Sequence, residues 1–333
     1  MKARDRIHIL LDTAEQHRLC AVAESDADRH MLRRRIKTGE LIMPHQGMYM
    51  RASTWNALTY HEKSMRIYRT VCKLHTDWVL CSVSAAAVYG YTSTWHIQRY
   101  VHIGVSKRSS AGKHGYVVAH HLGDTVDFQV VDGVKVTTPM RTLFDCARML
   151  DFENAMVICS MGLRKLQQDR TAFQRYVNGF RRKEGQARAR YVAARAEPLC
   201  ENGGEVAGLC RFYEFGYMPP RHQVTLHSPI SGRDIRPDYL WRRDDGSWVA
   251  AELDGKQKYI DPSMTSGKHI SDVIIQEKDR ETELNLLSVD VIRFRMEHVR
   301  HPEQLQKLLE AARIPLDPNP EPSPFLGFRT KAY

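Results

Sequence analysis

Asp238, Glu252 and Asp254 are spaced so that local structure alone can bring three carboxylates together. The runs Ile235 to Trp241 and Trp248 to Leu253 are both strand-like. Between them, Asp244-Asp245-Gly246 fits a three-residue hairpin loop, a type I turn with glycine in the left-handed position. In that register Arg243 faces Ser247, and counting back sets Asp238 directly opposite Glu252. Directly opposed residues share a sheet face, and Asp254, two along from Glu252, lies on the same face. Like charges so close are costly unless a cation sits among them. Hard divalent ions prefer oxygen ligands, so Mg2+ (or Mn2+) is the expected occupant. Held there, such an ion would polarise a phosphoryl oxygen and activate water for in-line attack. The register decides the matter, because a two-residue turn would put Leu253 opposite Asp238 and disperse the acids. The apolar neighbours Tyr239, Leu240, Val249, Ala250 and Ala251 predict a buried strand, where spare carboxylates are costly.

The elements that must carry and deliver this hairpin can be read along the chain. Residues 8 to 52 read as a small winged helix-turn-helix. Ile9, Leu10, Ala14, Leu19 and Val22 give a helix-like apolar pattern. Ser25 is the expected N-cap of a second helix from Asp26 to Thr38, with Asp26 and Asp28 in its first turn and Gly39 past its end. Leu32 and Ile36 should face the core, while Arg29, Arg33, Arg34, Arg35 and Lys37 supply cations for phosphates and base edges. The stretch Leu41 to Met50 reads as a hairpin, the wing.

In the middle region, Ser82 to Tyr89 predicts a small-residue helix, and Tyr100 to Val105 and Tyr116 to His121 predict strands. Asp132-Gly133 marks a tight turn, Thr138-Pro139 a helix start, and Phe152 to Leu166 a further helix. No catalytic constellation is legible there. His120 and His121 are adjacent, and neighbouring strand residues point to opposite faces. Residues 164 to 197 are strongly basic, with Arg164, Lys165, Arg170, Arg175, Arg181, Arg182, Lys183, Arg188, Arg190 and Arg195 against only Asp169, Glu184 and the terminal Glu197. They predict a helical connector whose cationic face either meets a DNA backbone or is simply solvated. From Pro315 to Pro324 five prolines in ten residues predict an extended, disordered tail.

Composition bounds the rest. The chain has 333 residues, 42% hydrophobic and 26% charged, with a net charge of +10, which favours polyanionic partners. No apolar run is long enough to span a bilayer, so no membrane partner is expected. The N-terminus lacks the length and cleavage site of a secretory signal. Seven scattered cysteines without CxxC spacing predict neither a disulfide framework nor a structural zinc site, and a cytoplasmic location is expected.

Pro237-Asp238 followed by Glu252-Leu253-Asp254 resembles the PD-(D/E)XK nuclease core, and Glu252-Leu253-Asp254-Gly255 looks like the signature of Vsr-like domain proteins, relatives of the very-short-patch-repair endonucleases. The resemblance implies a helix-borne acid at Glu205, a lead-in at Gly216 to Pro219, a helix begun by Asp279-Arg280 and a last core strand from Val289 to Phe294. The usual core places a lysine two residues after the glutamate, where this chain has Asp254. The family often has a histidine soon after its glycine, and Lys258 stands about there. Lys256 and Lys258 are candidates to supply the cation or orient water. The N-terminal part resembles AbiEi-type antitoxins, through Leu32 to Ile36, Gly39 to Leu41, Gly47 to Tyr49, Ser84 to Ala86 with Tyr89-Gly90, and Thr138 to Asp145.

The fold class expected is mixed α/β, α+β overall: a winged helix-turn-helix over 1–55, a mixed α/β region over 56–167, a basic helical connector over 168–199, a restriction-endonuclease-like α/β core over 200–312 and a proline-rich tail over 313–333. Two functions remain open. One is a metal-dependent endonuclease acting on DNA, with Glu205, Asp238, Glu252, Asp254, Lys256 and Lys258 at its site and Asp238, Glu252 and Asp254 on the metal. The other is an antitoxin or transcriptional regulator, with a nuclease-like scaffold and a cognate toxin as partner. RNA as the substrate is a third, weaker option.

Overall fold

The computed structural model describes residues 3–92, 94, 96–181, 183–254 and 280–328. Lys256, Lys258, Asp279 and the segment 261–269 lie outside the described residues. The chain is mixed α/β, α+β overall, and its contacts group it into two compact units. One holds residues 3–150 with 176–189, the other 151–175 with 190–328.

The first unit begins with α1 (Ala3–Gln16), β1 (Ala21–Val22), α2 (Asp26–Lys37), β2 (Leu41–His45) and β3 (Met48–Arg51), the strands ordered β1-β3-β2. The buried face of α1 is Ile7, Leu11 and Ala14, packed with Leu32, Leu41 and Tyr49. This corrects the sequence pattern. Ile9 is half exposed, Leu19 follows the helix and Val22 lies in β1. Short apolar residues at i, i+4 and i+7 define the face, and Ile7 sets its phase. In α2 the reading holds: Ser25 Oγ accepts from the Asp28 amide at 3.2 Å, Gly39 takes φ +75°, and Ile36 packs beside buried Leu32.

The β2–β3 hairpin forms, but its second strand is walled in on both faces. Tyr49 enters the winged-helix core, while Met48 and Met50 join a second core with Met65, Ile67 and Tyr68 of α4 (Tyr60–Leu74), which follows the short α3 (Ala52–Ala57). At the hairpin's end the His45 ring meets Tyr116 edge-on, centroids 4.5 Å apart. The wing is therefore an internal partition of this unit.

That second core lies on a six-stranded sheet of β4 (Val79–Leu80), β5 (Val101–Val105), β6 (Gly112–His114), β7 (Val117–His121), β8 (Phe128–Val131) and β9 (Val134–Thr137), ordered β6-β7-β5-β4-β9-β8. Asp132 (φ +50°) and Gly133 (φ +78°) close the β8–β9 hairpin in the two-residue turn that suits strand twist. α5 (Ser82–Val88) is buried throughout. α6 (Pro139–Met149) starts with proline at its first turn and buries Asp145 between Arg141 (2.9 Å) and Arg148 (2.8 Å).

In the second unit α7 (Phe152–Leu166) packs on α10 (Gly203–Glu214), where Arg211 pairs with Glu153 at 2.5 Å. The basic stretch forms two helices, α8 (Arg170–Asn178) and α9 (Gln186–Arg195), and several of its cations are spent on the protein itself. Arg164 donates to Pro198 O, Arg170 to Ala194 O and Arg188 to Arg148 O, while Arg195 stacks on Tyr191 and pairs with Glu321. Arg175, Arg181 and Arg190 of the same stretch are exposed.

Next come a small β10 (Leu226–His227) and β11 (Asp234–Ile235) pair, then β12 (Tyr239–Arg242), β13 (Trp248–Asp254), α11 (described over 280–286) and β14 (Val289–Arg295). β12 and β13 are antiparallel; β13 and β14 are parallel. Phe212 of α10 touches Tyr239, Trp241 and Phe294 on one sheet face. α12 (Met296–Arg300) and α13 (Pro302–Ala311) complete the unit.

The proline-rich tail bends at 318–319 and turns at 324–327, and over 315–328 it makes defined contacts where disorder was expected. Met218 N donates to Pro315 O at 2.9 Å and Asp317 N to Gly216 O at 2.8 Å, and Phe325 packs against Phe152 and Tyr191. Proline lacks an amide donor but keeps its carbonyl, so a proline-rich strand can still accept from a neighbour.

Candidate functional site

The hairpin that carries the acids has the register its turn demands. Arg243 N donates to Ser247 O at 2.8 Å, Gly246 N to Arg243 O at 3.0 Å, and Gly246 takes φ +85°. Tyr239 pairs with Ala251, Leu240 with Ala250, Trp241 with Val249 and Arg242 with Trp248. Carried one residue further, this sets Asp238 against Glu252, as the turn chemistry predicts. The flanking Tyr239, Leu240, Val249, Ala250 and Ala251 are all buried.

Each acid has a distinct environment. Asp238 is half-buried, and its Oδ2 accepts from the Leu253 amide at 2.8 Å, which ties the mouth of β12 to the end of β13. Glu252 is 9% exposed and faces two guanidiniums, Arg280 of α11 at 2.9 Å and Arg293 of β14 at 3.7 Å. Arg293 also lies 3.9 Å from Asp254. Sequence reasoning missed these arginines as members of the site. The signal lay in β14 itself, where Val289, Val291, Arg293 and Arg295 alternate onto one face in parallel register with Trp248, Ala250, Glu252 and Asp254.

Glu205 sits in the first turn of α10, 6% exposed, held by the Glu201 amide and by Asn202 Nδ2, each at 2.6 Å. Asn202 caps the helix by accepting from the Gly204 and Glu205 amides. Tyr239 Oη donates to Glu205 O at 2.6 Å, so the helix and β12 are pinned one residue from Asp238. Burial, reinforced by the charges of Asp238 and Glu201, lifts the Glu205 carboxyl to about 7 against the pull of the Glu201 amide. It is thus a carboxyl that titrates near neutrality, within electrostatic reach of Asp238.

These carboxylates have the hard-oxygen chemistry a divalent ion wants. Among the described residues no three His, Cys, Asp or Glu side chains group as a ligand set, and Glu252 forms ion pairs with Arg280 and Arg293. Lys256 and Lys258 fall outside the described residues.

The candidate nucleic-acid face is on α2. At about 100° per residue, Arg29, His30, Arg33, Lys37 and Arg34 fall within an arc of about 140° that leaves out buried Leu32 and borders Ile36 on the Arg29 side. All five are exposed. Arg29 carries an ion pair with Asp26 one turn earlier at 2.5 Å. Arg35 points elsewhere, less exposed and paired with Glu40 at 3.1 Å. Arg6 pairs with buried Asp28 and bonds Ser25 Oγ at 2.8 Å, fixing the start of the helix.

All seven cysteines are free, and every one except Cys72 is buried. No helix among the described residues is long and apolar enough to cross a membrane. Compared with known proteins, the chain matches no family model and no curated protein.

Proposed function

We propose that this protein binds DNA through α2 and acts as a regulator or antitoxin, its C-terminal sheet serving as a nuclease-like scaffold. The observation that carries this reading is the exposed cationic arc of Arg29, Arg33, Arg34 and Lys37, on a helix whose opposite face and both ends are held in place. Cations on a rigid helix neutralise phosphates without a backbone-ordering cost, and their long side chains reach base edges. The pairing of Glu252 with Arg280 and Arg293 supports the scaffold part. The test is duplex DNA binding by fluorescence anisotropy across salt concentrations, with wild type beside Arg33→Ala/Arg34→Ala/Lys37→Ala. Binding that weakens in the variant, with a shallower salt dependence, is expected. Equal binding by both proteins would overturn the reading.

A second reading, metal-dependent hydrolysis of DNA phosphodiesters with Mg2+ or Mn2+, is favoured by one observation: the near-neutral Glu205 carboxyl beside Asp238, itself in register with Glu252. Plasmid cleavage in either metal, abolished by Asp238→Ala and by Glu252→Ala while DNA binding persists, would establish it. No cleavage in either metal leaves the scaffold reading.

A further inference from the structure

A cleft of about 280 Å³ opens in the first unit between the end of α1 and the start of α4, outside both sites described above. Three guanidiniums line it, those of Arg18, Arg66 and Arg69, together with the His61 imidazole. Its two acids are already engaged. Glu62 closes the capping box of α4, accepting from Thr59 N and Thr59 Oγ1 at 2.8 Å each, and Asp132 is paired with Arg69. Among the described residues neither Arg18 nor Arg66 makes an ion pair within 4 Å; Arg66 lies within electrostatic reach of Glu62 and is held only by the carbonyls of Glu15 and Leu19, at 3.5 and 3.4 Å. His61 Nδ1 lies 3.2 Å from Ala87 O. A carbonyl can only accept, so Nδ1 carries the proton and Nε2 is the ring's remaining site.

Arg18 adds an independent observation. α1 ends with Leu19 N donating to Ala14 O at 2.7 Å and Arg18 N to Glu15 O at 3.0 Å, the paired closure that places a residue in the left-handed region. Glycine is the favoured occupant there, and Arg18 holds φ +55° instead. A long cation kept in a conformation that disfavours it, with its side chain lining a cleft, is strain located where a ligand would use it.

We infer that this cleft binds a phosphate group, gripped by Arg18 and Arg66, with Arg69 and His61 beside it. Guanidinium groups present forked donors that match phosphate oxygens two at a time. The volume is below that of drug-sized pockets and suits a small anion. Met65 and Leu58 add an apolar wall for whatever the phosphate is attached to.

The experiment is calorimetric titration of the full chain with pyrophosphate, beside Arg18→Gly and Arg66→Met, with thermal unfolding of all three proteins. Wild type should bind. Both variants should lose about tenfold or more in affinity, the scale of a lost charge-assisted pair. Arg18→Gly should meanwhile melt higher than wild type, which separates loss of binding from loss of fold. Adding duplex DNA identifies the source: displacement of pyrophosphate assigns the cleft to a backbone phosphate, and unaltered binding assigns it to a small phosphorylated ligand. Absence of pyrophosphate binding by wild type, or undiminished binding by Arg18→Gly, would overturn the proposal.

Discussion

Arg293 stands directly across from Glu252 in the parallel register of β13 and β14, and its guanidinium lies between that carboxylate and Asp254, 3.7 and 3.9 Å away. Removing the cation takes one guanidinium from a buried carboxylate that keeps its pairing with Arg280. Arg293→Met should therefore lower stability by about 1–3 kcal/mol in urea unfolding. Adding Glu252→Gln should recover part of that loss, because the stranded charge goes with it. A double variant no better than the single one would mean that Arg293 acts through packing instead of charge.

Two buried groups make opposite demands on pH. Glu205 binds its proton more tightly folded (about 7) than unfolded (4.5), so its contribution is full below 4.5 and is lost as pH rises toward 7. Glu205→Gln should thus match wild type near pH 4.5 and exceed it at pH 8 by on the order of 3 kcal/mol. An unchanged difference between the two pH values would refute a neutral carboxyl. His102, whose Nδ1 lies 2.8 Å from His120 Nε2, is pushed down to about 3 by burial and by its neighbour. Its stabilising contribution is present above 6.5 and lost as pH falls toward 3, because the unfolded imidazole takes up the proton first. Replacing His102 with an uncharged side chain should flatten that acid limb.

Gly208 has room for a hydrogen and nothing more. A Cβ there would lie 2.8 Å from Tyr239 Oη and 3.1 Å from Phe294 Cζ. Alanine favours helices over glycine, yet Gly208→Ala should destabilise by about 1–3 kcal/mol, because overpacking breaks the Tyr239 bond to Glu205 O. A stabilising outcome in a denaturant titration would show that α10 can move off the sheet without penalty.

Ser25 organises α2 from its start. It accepts from the Asp28 amide and from Arg6, and donates to Asp28 Oδ2 at 2.7 Å. Ser25→Ala should cost about 1–2 kcal/mol of stability. In contrast, Arg33→Ala and Lys37→Ala, both exposed, should leave stability within about 0.5 kcal/mol. If each cation meets a phosphate, each loss should reduce the log–log salt slope of DNA binding by about 0.9.

Features fixed by neighbours in sequence were legible. Gly246 dictated the hairpin loop and hence the placing of Asp238 against Glu252, and Ser25, Gly39 and Pro139 bounded their helices. What depends on distant chain was not. The phase of α1 was set by Ile7 and not Ile9, because only the packed partner decides which of two apolar arcs is buried. Met48 and Met50 read as an ordinary wing until α4 is seen to cover them. Arg280 and Arg293 were noted as parts of a helix and a strand, but their role at Glu252 follows from a parallel pairing across 41 positions, from Glu252 to Arg293, that no local pattern announces.

The two compact units are interleaved along the chain: residues 176–189 belong to the first, although residues 151–175 of the second precede them. During synthesis the first unit thus cannot close when residue 150 leaves the ribosome; it must wait for about forty more residues, with part of the other unit already exposed. The second waits longer still, for the strand at Pro315 that receives the Met218 amide and for Phe325. At translation rates of about 5–20 residues per second, that leaves the aromatic surface around Phe152 and Tyr191 uncovered for roughly 7–27 seconds.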